Sequence, residues 1–174
     1  MTALLLAAAI TFGIAGDSVT HISADELRAE GATVEAFGGV DILQAREALQ
    51  RFAVNGRRNV VVAVGIMDVA SWANERQLRG RVRAVLRDLR PVRCVLWVDL
   101  RYGSRPPGLR DDRVRMFARV LDDLTGQFGR HVAAWSAASA DHPEWFTDDR
   151  LHPNRLGQTG YARFLAGQVD RYCN

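Results

Sequence analysis

The stretch GIAGDSVTHIS, residues 13–23, decides the fold. Apolar and small residues run from Ile10 to Ala15 and stop at Gly16, Asp17 and Ser18. A continuous apolar run is typical of a strand that is covered on both faces of a parallel sheet. The glycine, acid and hydroxyl that follow are either an ordinary tight turn or a nucleophile held at the end of that strand.

Four further apolar runs alternate with amphipathic segments along the chain. The five predicted strands cover residues 10–15, 33–37, 59–65, 94–99 and 131–136. The predicted helices cover residues 25–30, 41–54, 74–90, 111–128 and 156–172, the first with a possible capping box from Ser23 to Glu26. This alternation predicts right-handed crossovers in an α/β fold, a three-layer α/β/α sandwich with a five-stranded parallel sheet. We expect a single domain over residues 1–174.

The composition excludes several classes of function. The 23 basic residues are all arginine, so a Schiff-base lysine and a lysine-dependent phosphate loop are excluded. The arginines alternate with acids, as in residues 74–90, which is typical of a solvated helix face. No basic block with interleaved aromatics occurs, so we expect no nucleic-acid partner. No metal-ligand spacing occurs either, and we expect no metal or organic cofactor.

Two cysteines and the apolar beginning of the chain bear on its location. Cys94 opens the fourth strand, and Cys173 ends a helix that returns to the same pole of the sheet. Two free thiols are favoured over a disulfide, because lying at the same pole does not by itself bring two cysteines within the short distance that a disulfide requires. Residues 1–9 are apolar but lack a basic segment, so a cytoplasmic protein is expected, with a secreted or envelope protein as the alternative. No stable membrane insertion is expected, and no oligomeric state is predicted.

The carboxyl ends of the predicted strands gather the residues that could carry chemistry. Ligands of parallel sheets bind at this edge. A serine there becomes a nucleophile only if a base takes its proton and a third group orients the base. The spacing of Asp149 and His152 allows a carboxylate to reach an imidazole, although a loop that caps the last helix fits equally well. His131 opens a strand at the opposite pole and is interpreted as structural.

Two motifs together resemble the SGNH, or GDSL-type, hydrolase family. They are AGDSVT at residues 15–20 and WFTDDRLHPNRLGQTGYARFLA at residues 145–166. The second is similar to the family ending D-G-x-H-P/L-x-x-x-G-x-x-x-Y-A. The resemblance spans the chain and implies a flavodoxin-like SGNH hydrolase fold. It also implies that Ser18 is the nucleophile, His152 the general base and Asp149 its orienting acid.

The same resemblance implies an oxyanion hole from which one group is missing. Its donors would be the backbone N–H groups of Ser18 and of Gly39, with Gly38 as the alternative. The family's G-x-N-D motif adds an asparagine, but residues 65–68 read GIMD, and Met67 has no side-chain N–H. Losing one such donor typically lowers kcat by about 10²–10³. Arg101 or Tyr102 could replace it, or Met67 could line an apolar pocket or pack under Trp72.

The sequence therefore predicts a serine-dependent carboxyl-ester hydrolase that acts through an acyl-enzyme on a small-molecule or glycan ester. The first alternative is an O-acyltransferase that uses the same triad to acylate a sugar or natural-product hydroxyl. The second is a catalytically impaired binding module or pseudoenzyme, which Met67 motivates. Substrate contacts are expected from Met67, Arg101 and Trp145, whereas Asp17 is expected to order the turn before Ser18 and Asp68 to support its loop.

Overall fold

The computed structural model describes residues 11–106 and 108–174, so Ile10 of the first predicted strand and the apolar residues 1–9 lie outside it. All strand pairs are parallel, and the order is β2-β1-β3-β4-β5. The strands are β1 (Phe12–Gly16), β2 (Ala32–Ala36), β3 (Asn59–Ala63), β4 (Cys94–Val98) and β5 (His131–Ala133). The predicted five-stranded parallel sheet is confirmed. The strand order reverses direction at β1, which is the position where such sheets bind ligands.

Helices cover both faces of the sheet. They are α1 (Ser18–Ile22), α2 (Ala24–Ala29), α3 (Arg46–Val54), α4 (Ile66–Ala70), α5 (Glu75–Asp88), α6 (Asp111–Gln127), α7 (Trp135–Ala138) and α8 (Arg155–Cys173), with a 3-10 turn at Pro143–Trp145. Helices α3, α5 and α6 pack side by side, and α2 packs against α8. The short helices α1, α4 and α7 directly follow strands and were not predicted from the sequence.

Side-chain capping accounts for the main differences from the predicted elements. The fifth strand ends at Ala133 because the Asp99 carboxylate accepts the Ser136 N–H at 2.8 Å and fixes the first turn of α7. Helix α3 begins only at Arg46, after a turn in which Asp41 and Gln44 exchange backbone-to-side-chain hydrogen bonds of 2.8 Å.

The predicted capping box at Ser23 is wrong. Ser23 is fully buried between α1 and α2, and its hydroxyl donates to the carbonyl of Val19 at 2.8 Å instead. Because the oxygen is used there, it makes no cap for α2. The serine thus closes the end of α1, one turn earlier in the chain than the sequence pattern indicates.

Close packing explains why β1 must end in glycine. All five residues of β1 are buried. A Cβ on Gly16 would lie 2.2 Å from Thr20 Oγ1, so a larger residue would push α1 away from the strand. The glycine therefore lets the chain turn from a central strand directly into a helix, and this turn places Ser18 at the edge of the sheet.

Cys94 and Cys173 form a disulfide, which corrects the expectation of two free thiols. Their Cα atoms are 5.4 Å apart because α8 ends against the amino end of β4. The Tyr172 ring stacks on His131 at 4.5 Å beside the bond, at the pole opposite Ser18. A disulfide that joins cysteines 79 positions apart contributes about 4.5 kcal/mol to stability in the chain-entropy account.

Candidate active site

Ser18 is held at the start of α1 by Asp17. The Asp17 carboxylate accepts the Val19 N–H at 3.2 Å, and the Asp17 N–H donates to the carbonyl of Ala63 in β3 at 3.1 Å. Burial raises the pKa of Asp17 to about 7, although hydrogen bonds from the backbone N–H groups of Val19 and Ile66 act in the opposite direction. Asp17 orders the turn, as the sequence predicts, and joins β1 to β3 beneath the serine.

The structure brings Ser18, His152 and Asp149 into one hydrogen-bonded chain. His152 Nε2 lies 2.9 Å from Ser18 Oγ, although the two residues are 134 positions apart. On the other side of the ring, His152 Nδ1 lies 2.5 Å from Asp149 Oδ2. A proton on Nδ1 is bonded to the carboxylate in this arrangement, which leaves Nε2 free to accept the serine proton.

Asp149 is held ionised beside the imidazole. Its Oδ1 accepts hydrogen bonds from the Thr147 hydroxyl at 2.8 Å, the Leu151 N–H at 2.9 Å and the His152 N–H at 3.0 Å. Burial acts to raise its pKa, but the hydrogen bonds from His152, Leu151 and Thr147 outweigh burial and hold the pKa well below its usual range. Sequence reasoning missed Thr147, since a threonine two residues before an acid carries no distinctive signal.

The stretch around His152 also caps the last helix, as the alternative interpretation of the sequence predicts. The Asn154 side chain accepts the N–H groups of Leu156 and Gly157 at 3.0 and 3.2 Å at the start of α8. Its amide donates to the carbonyl of Glu144 at 2.7 Å. The cap therefore holds Pro153 and Asn154, the two residues that follow His152, and limits how far the imidazole can move.

Gly39 lies on the loop after β2, and Asp68 anchors that loop. Gly39 has a φ of 77° in an exposed turn, a conformation that favours glycine. Asp68 is fully buried and accepts the Ile42 N–H at 2.9 Å, and it also forms an ion pair with Arg81. Burial raises the pKa of Asp68, although its bonds to Arg81 and Ile42 act in the opposite direction. The support of the loop that the sequence predicts for Asp68 is thus a direct hydrogen bond.

Met67 is exposed in the first turn of α4, directly after β3. Its exposed fraction is 38 %, and its carbonyl accepts the N–H of Ser71 at 2.9 Å. Trp72 is more exposed still, and the Cζ of Arg113 lies 4.6 Å from the centroid of its ring. Met67 follows β3 at the carboxyl-end edge of the sheet, and Ser18 follows β1 at the same edge, as the sequence predicts.

Arg101 and Tyr102 follow β4, but the Arg101 guanidinium is engaged with protein atoms. Its Nη1 donates to the carbonyls of Tyr102 and Arg150 at 3.1 and 3.2 Å, and its Cζ lies 4.2 Å above the Phe146 ring. Only 9 % of the residue is exposed, and burial lowers the pKa of its guanidinium. Its Nη1 is thus occupied by backbone carbonyls, whereas its Nε has no hydrogen-bond partner. A substrate contact by Arg101 stays a prediction.

Trp145 belongs to an aromatic cluster between α7 and α8. Its ring lies nearly parallel to those of Trp135 and His142, with centroids 5.9 and 3.8 Å away. A Cβ on Gly160 would lie 2.9 Å from the Trp145 ring, so the indole is seated on α8. A substrate contact by Trp145 stays a prediction.

A small cavity lies behind the residues that flank Ser18 and His152. Its volume is about 20 Å³, which is room for a single water molecule. Asp17, Val19 and Leu151 line it together with Trp135 and Tyr161. Within residues 11–106 and 108–174, no cluster of histidine, cysteine and acidic side chains has the arrangement of a metal site.

The model of the GDSL-like Lipase/Acylhydrolase family matches residues 6–159. A comparison with curated proteins finds no match. The folds of several solved structures are similar. A lipase/acylhydrolase from Enterococcus faecalis is 14 % identical with a TM-score of 0.77, and the match covers 94 % of this chain and 97 % of that one.

Two further solved structures share the fold, and their names are those of an O-acetyltransferase and an acetylxylan esterase. The catalytic domain of a peptidoglycan O-acetyltransferase from Streptococcus pneumoniae is 20 % identical with a TM-score of 0.74, covering 94 % of each chain. An acetylxylan esterase from Geobacillus stearothermophilus is 15 % identical with a TM-score of 0.71, covering 91 % of this chain and 93 % of that one. At these identities the similarity shows the fold.

Proposed function

The chain belongs to the GDSL-like lipase/acylhydrolase family, and on that premise we propose that it cleaves carboxylic esters through an acyl-enzyme on Ser18. The single observation that carries the proposal is the hydrogen-bonded chain from Ser18 Oγ through the His152 ring to Asp149. These contacts support the roles of nucleophile, base and orienting acid that acyl transfer requires. The substrate is a small-molecule or glycan ester.

The proposed reaction has two halves. Ser18 Oγ attacks the ester carbonyl carbon while His152 Nε2 takes the hydroxyl proton, and the ionised Asp149 stabilises the imidazolium. The tetrahedral intermediate collapses as the alcohol leaves with the proton from His152. Water then attacks the carbonyl carbon of the acyl-enzyme while His152 takes its proton. The second tetrahedral intermediate collapses, the carboxylic acid is released, and His152 returns the proton to Ser18 Oγ.

Acyl transfer to a hydroxyl is the second candidate. It is supported by the structural similarity to an O-acetyltransferase domain, although that similarity extends only to the fold. The first experiment is turnover of p-nitrophenyl acetate, with and without an added glycan acceptor. Release of free acetate supports hydrolysis, acetylated acceptor supports transfer, and no turnover by the folded protein supports the impaired binding module instead.

Met67 is expected to limit the rate of the proposed reaction. In the oxyanion hole that the family pattern implies, the Ser18 and Gly39 N–H groups lack a third donor because a thioether donates no proton. Met67→Asn is expected to raise kcat for p-nitrophenyl acetate by about tenfold or more, since one donor is worth about 10²–10³ in kcat where the geometry is ideal. Met67→Leu is the matched control, and an equal kcat for the two variants would contradict this role.

The disulfide bears on location. Disulfides persist in oxidising compartments, so the Cys94–Cys173 bond favours a secreted or envelope protein over the cytoplasmic one that the sequence predicts. None of the helices in the described part of the chain is long and apolar enough to cross a membrane. We expect protein recovered from its own cells to resist thiol alkylation until it is reduced. Alkylation of both cysteines without reduction would contradict this location.

A further inference from the structure

The turn between Asp149 and His152 has a strained residue at its centre. Arg150 has a φ of 55°, in the left-handed region that non-glycine residues rarely adopt. Such conformations persist only where the surrounding structure holds them. The contact between Asp149 and His152 depends on this turn, so whatever holds Arg150 also holds the acid and the imidazole together.

The loop after β4 donates hydrogen bonds to the carbonyl groups of this turn. Arg101 Nη1 donates to the carbonyl of Arg150 at 3.2 Å, and the Ser104 hydroxyl is shared between this carbonyl at 3.3 Å and that of Arg101 at 3.2 Å. The Arg105 N–H donates to the carbonyl of Asp149 at 2.8 Å. Donor groups of one short loop therefore converge on two successive carbonyls of the strained turn.

Arg101 is itself fixed in place. Its guanidinium lies 4.2 Å above the Phe146 ring, and a second bond from Nη1 reaches the carbonyl of Tyr102. Among the residues that the structure describes, the charged group that acts on Arg101 is another arginine, Arg150, and the buried Nε of Arg101 has no hydrogen-bond partner. An arginine buried without an acid is costly, and the contacts that it does make are with the turn and with the ring beneath the turn.

We propose that Arg101 is a positioning residue that holds the turn from Asp149 to His152 in the conformation in which the pair reaches Ser18. This role is separate from the substrate contact that the sequence predicts for Arg101. Its kinetic consequence rests on the proposed function, whereas its structural consequence does not depend on any activity.

Arg101→Met tests the proposal, because methionine keeps an unbranched apolar chain over Phe146 and removes every donor. We expect kcat for p-nitrophenyl acetate to fall about 10²-fold, the usual effect of misplacing a catalytic group by about 1 Å. KM is expected to stay within about twofold of the parent value, since no substrate contact is lost. Adding Arg150→Gly is expected to recover about tenfold in kcat, because glycine adopts the left-handed turn without strain.

Arg130→Met is the matched control. Arg130 also donates to backbone carbonyls, reaching that of Arg93 at 2.9 Å, but it does so at the opposite pole. We expect it to leave kcat unchanged. Should Arg101→Met fail to fold, Ser104→Ala removes the other side-chain donor to Arg150 and is expected to give a smaller loss that Arg150→Gly also recovers.

Hydrogen exchange provides a readout that needs no activity. Amides of residues 147–152 are expected to exchange faster in Arg101→Met than in the parent or in Arg130→Met. Unchanged exchange in this segment would overturn the proposal, and so would a raised KM with unchanged kcat. If the parent protein hydrolyses no ester, the proposed function fails, and the exchange rates alone still decide whether Arg101 holds the turn.

Discussion

Ser18→Ala and His152→Ala are each expected to lower kcat for ester hydrolysis by about 10⁶, and the double variant to lose no more than either alone. The two groups act as one unit, because the hydroxyl attacks only when the imidazole 2.9 Å away removes its proton. Loss of either leaves only substrate binding and the oxyanion donors. The measurement is single-turnover kinetics on p-nitrophenyl acetate.

The same pole of the molecule offers matched controls for this pair. Ser71 is an exposed serine after β3, and His142 is a second histidine bonded to an acid, with its Nδ1 3.0 Å from Glu144. Ser71→Ala and His142→Ala are expected to change kcat by less than about twofold, since neither is bonded to Ser18. A loss with His142→Ala as large as with His152→Ala would mean that the wrong histidine has been assigned.

Asp149→Asn is expected to lower kcat by about 10⁴ while the turn stays folded. The amide oxygen can still accept the three bonds now made to Oδ1, from Thr147, Leu151 and His152. The amide nitrogen of the asparagine, however, is a hydrogen-bond donor, and it replaces the oxygen that accepts from His152 Nδ1. The imidazole must then carry its proton on Nε2, where it can no longer accept one from Ser18.

Glu144→Gln is the control for this second prediction, because Glu144 makes the corresponding contact to His142. It is expected to leave kcat within about twofold of the parent value. Circular dichroism and thermal unfolding distinguish a tautomer effect from a collapsed turn. If Asp149→Asn keeps its melting temperature and also keeps its full kcat, Asp149 does not orient the base.

The sheet was predictable from the sequence because most of its strands are continuous apolar runs between amphipathic segments. The strand and helix ends were less predictable wherever a polar side chain sets them. The strand predicted to reach residue 136 stops at Ala133 because the Asp99 carboxylate, 37 residues earlier in the chain, bonds the N–H of Ser136. A pattern of apolar residues carries no information about such a contact.

The residues of the proposed triad were predictable because two short motifs name them, and the fold then brings them within hydrogen-bond distance. The groups that hold them were not. Arg101 donates to the carbonyl of Arg150, which lies 49 positions later in the chain. This contact is important because Arg150 has a left-handed φ that the surrounding structure must hold. The disulfide was not predicted for a related reason. The sequence places Cys94 and Cys173 at the same pole of the sheet but does not give the distance between them.

The most direct test of the central claim is the site of covalent labelling by a fluorophosphonate probe, mapped by peptide mass spectrometry. We expect one adduct, on the peptide that contains Ser18, and its loss in Ser18→Ala and His152→Ala while Ser71→Ala is labelled like the parent. An adduct on any other residue, or a folded parent protein that takes up no probe, would contradict the claim that Ser18 is an activated nucleophile.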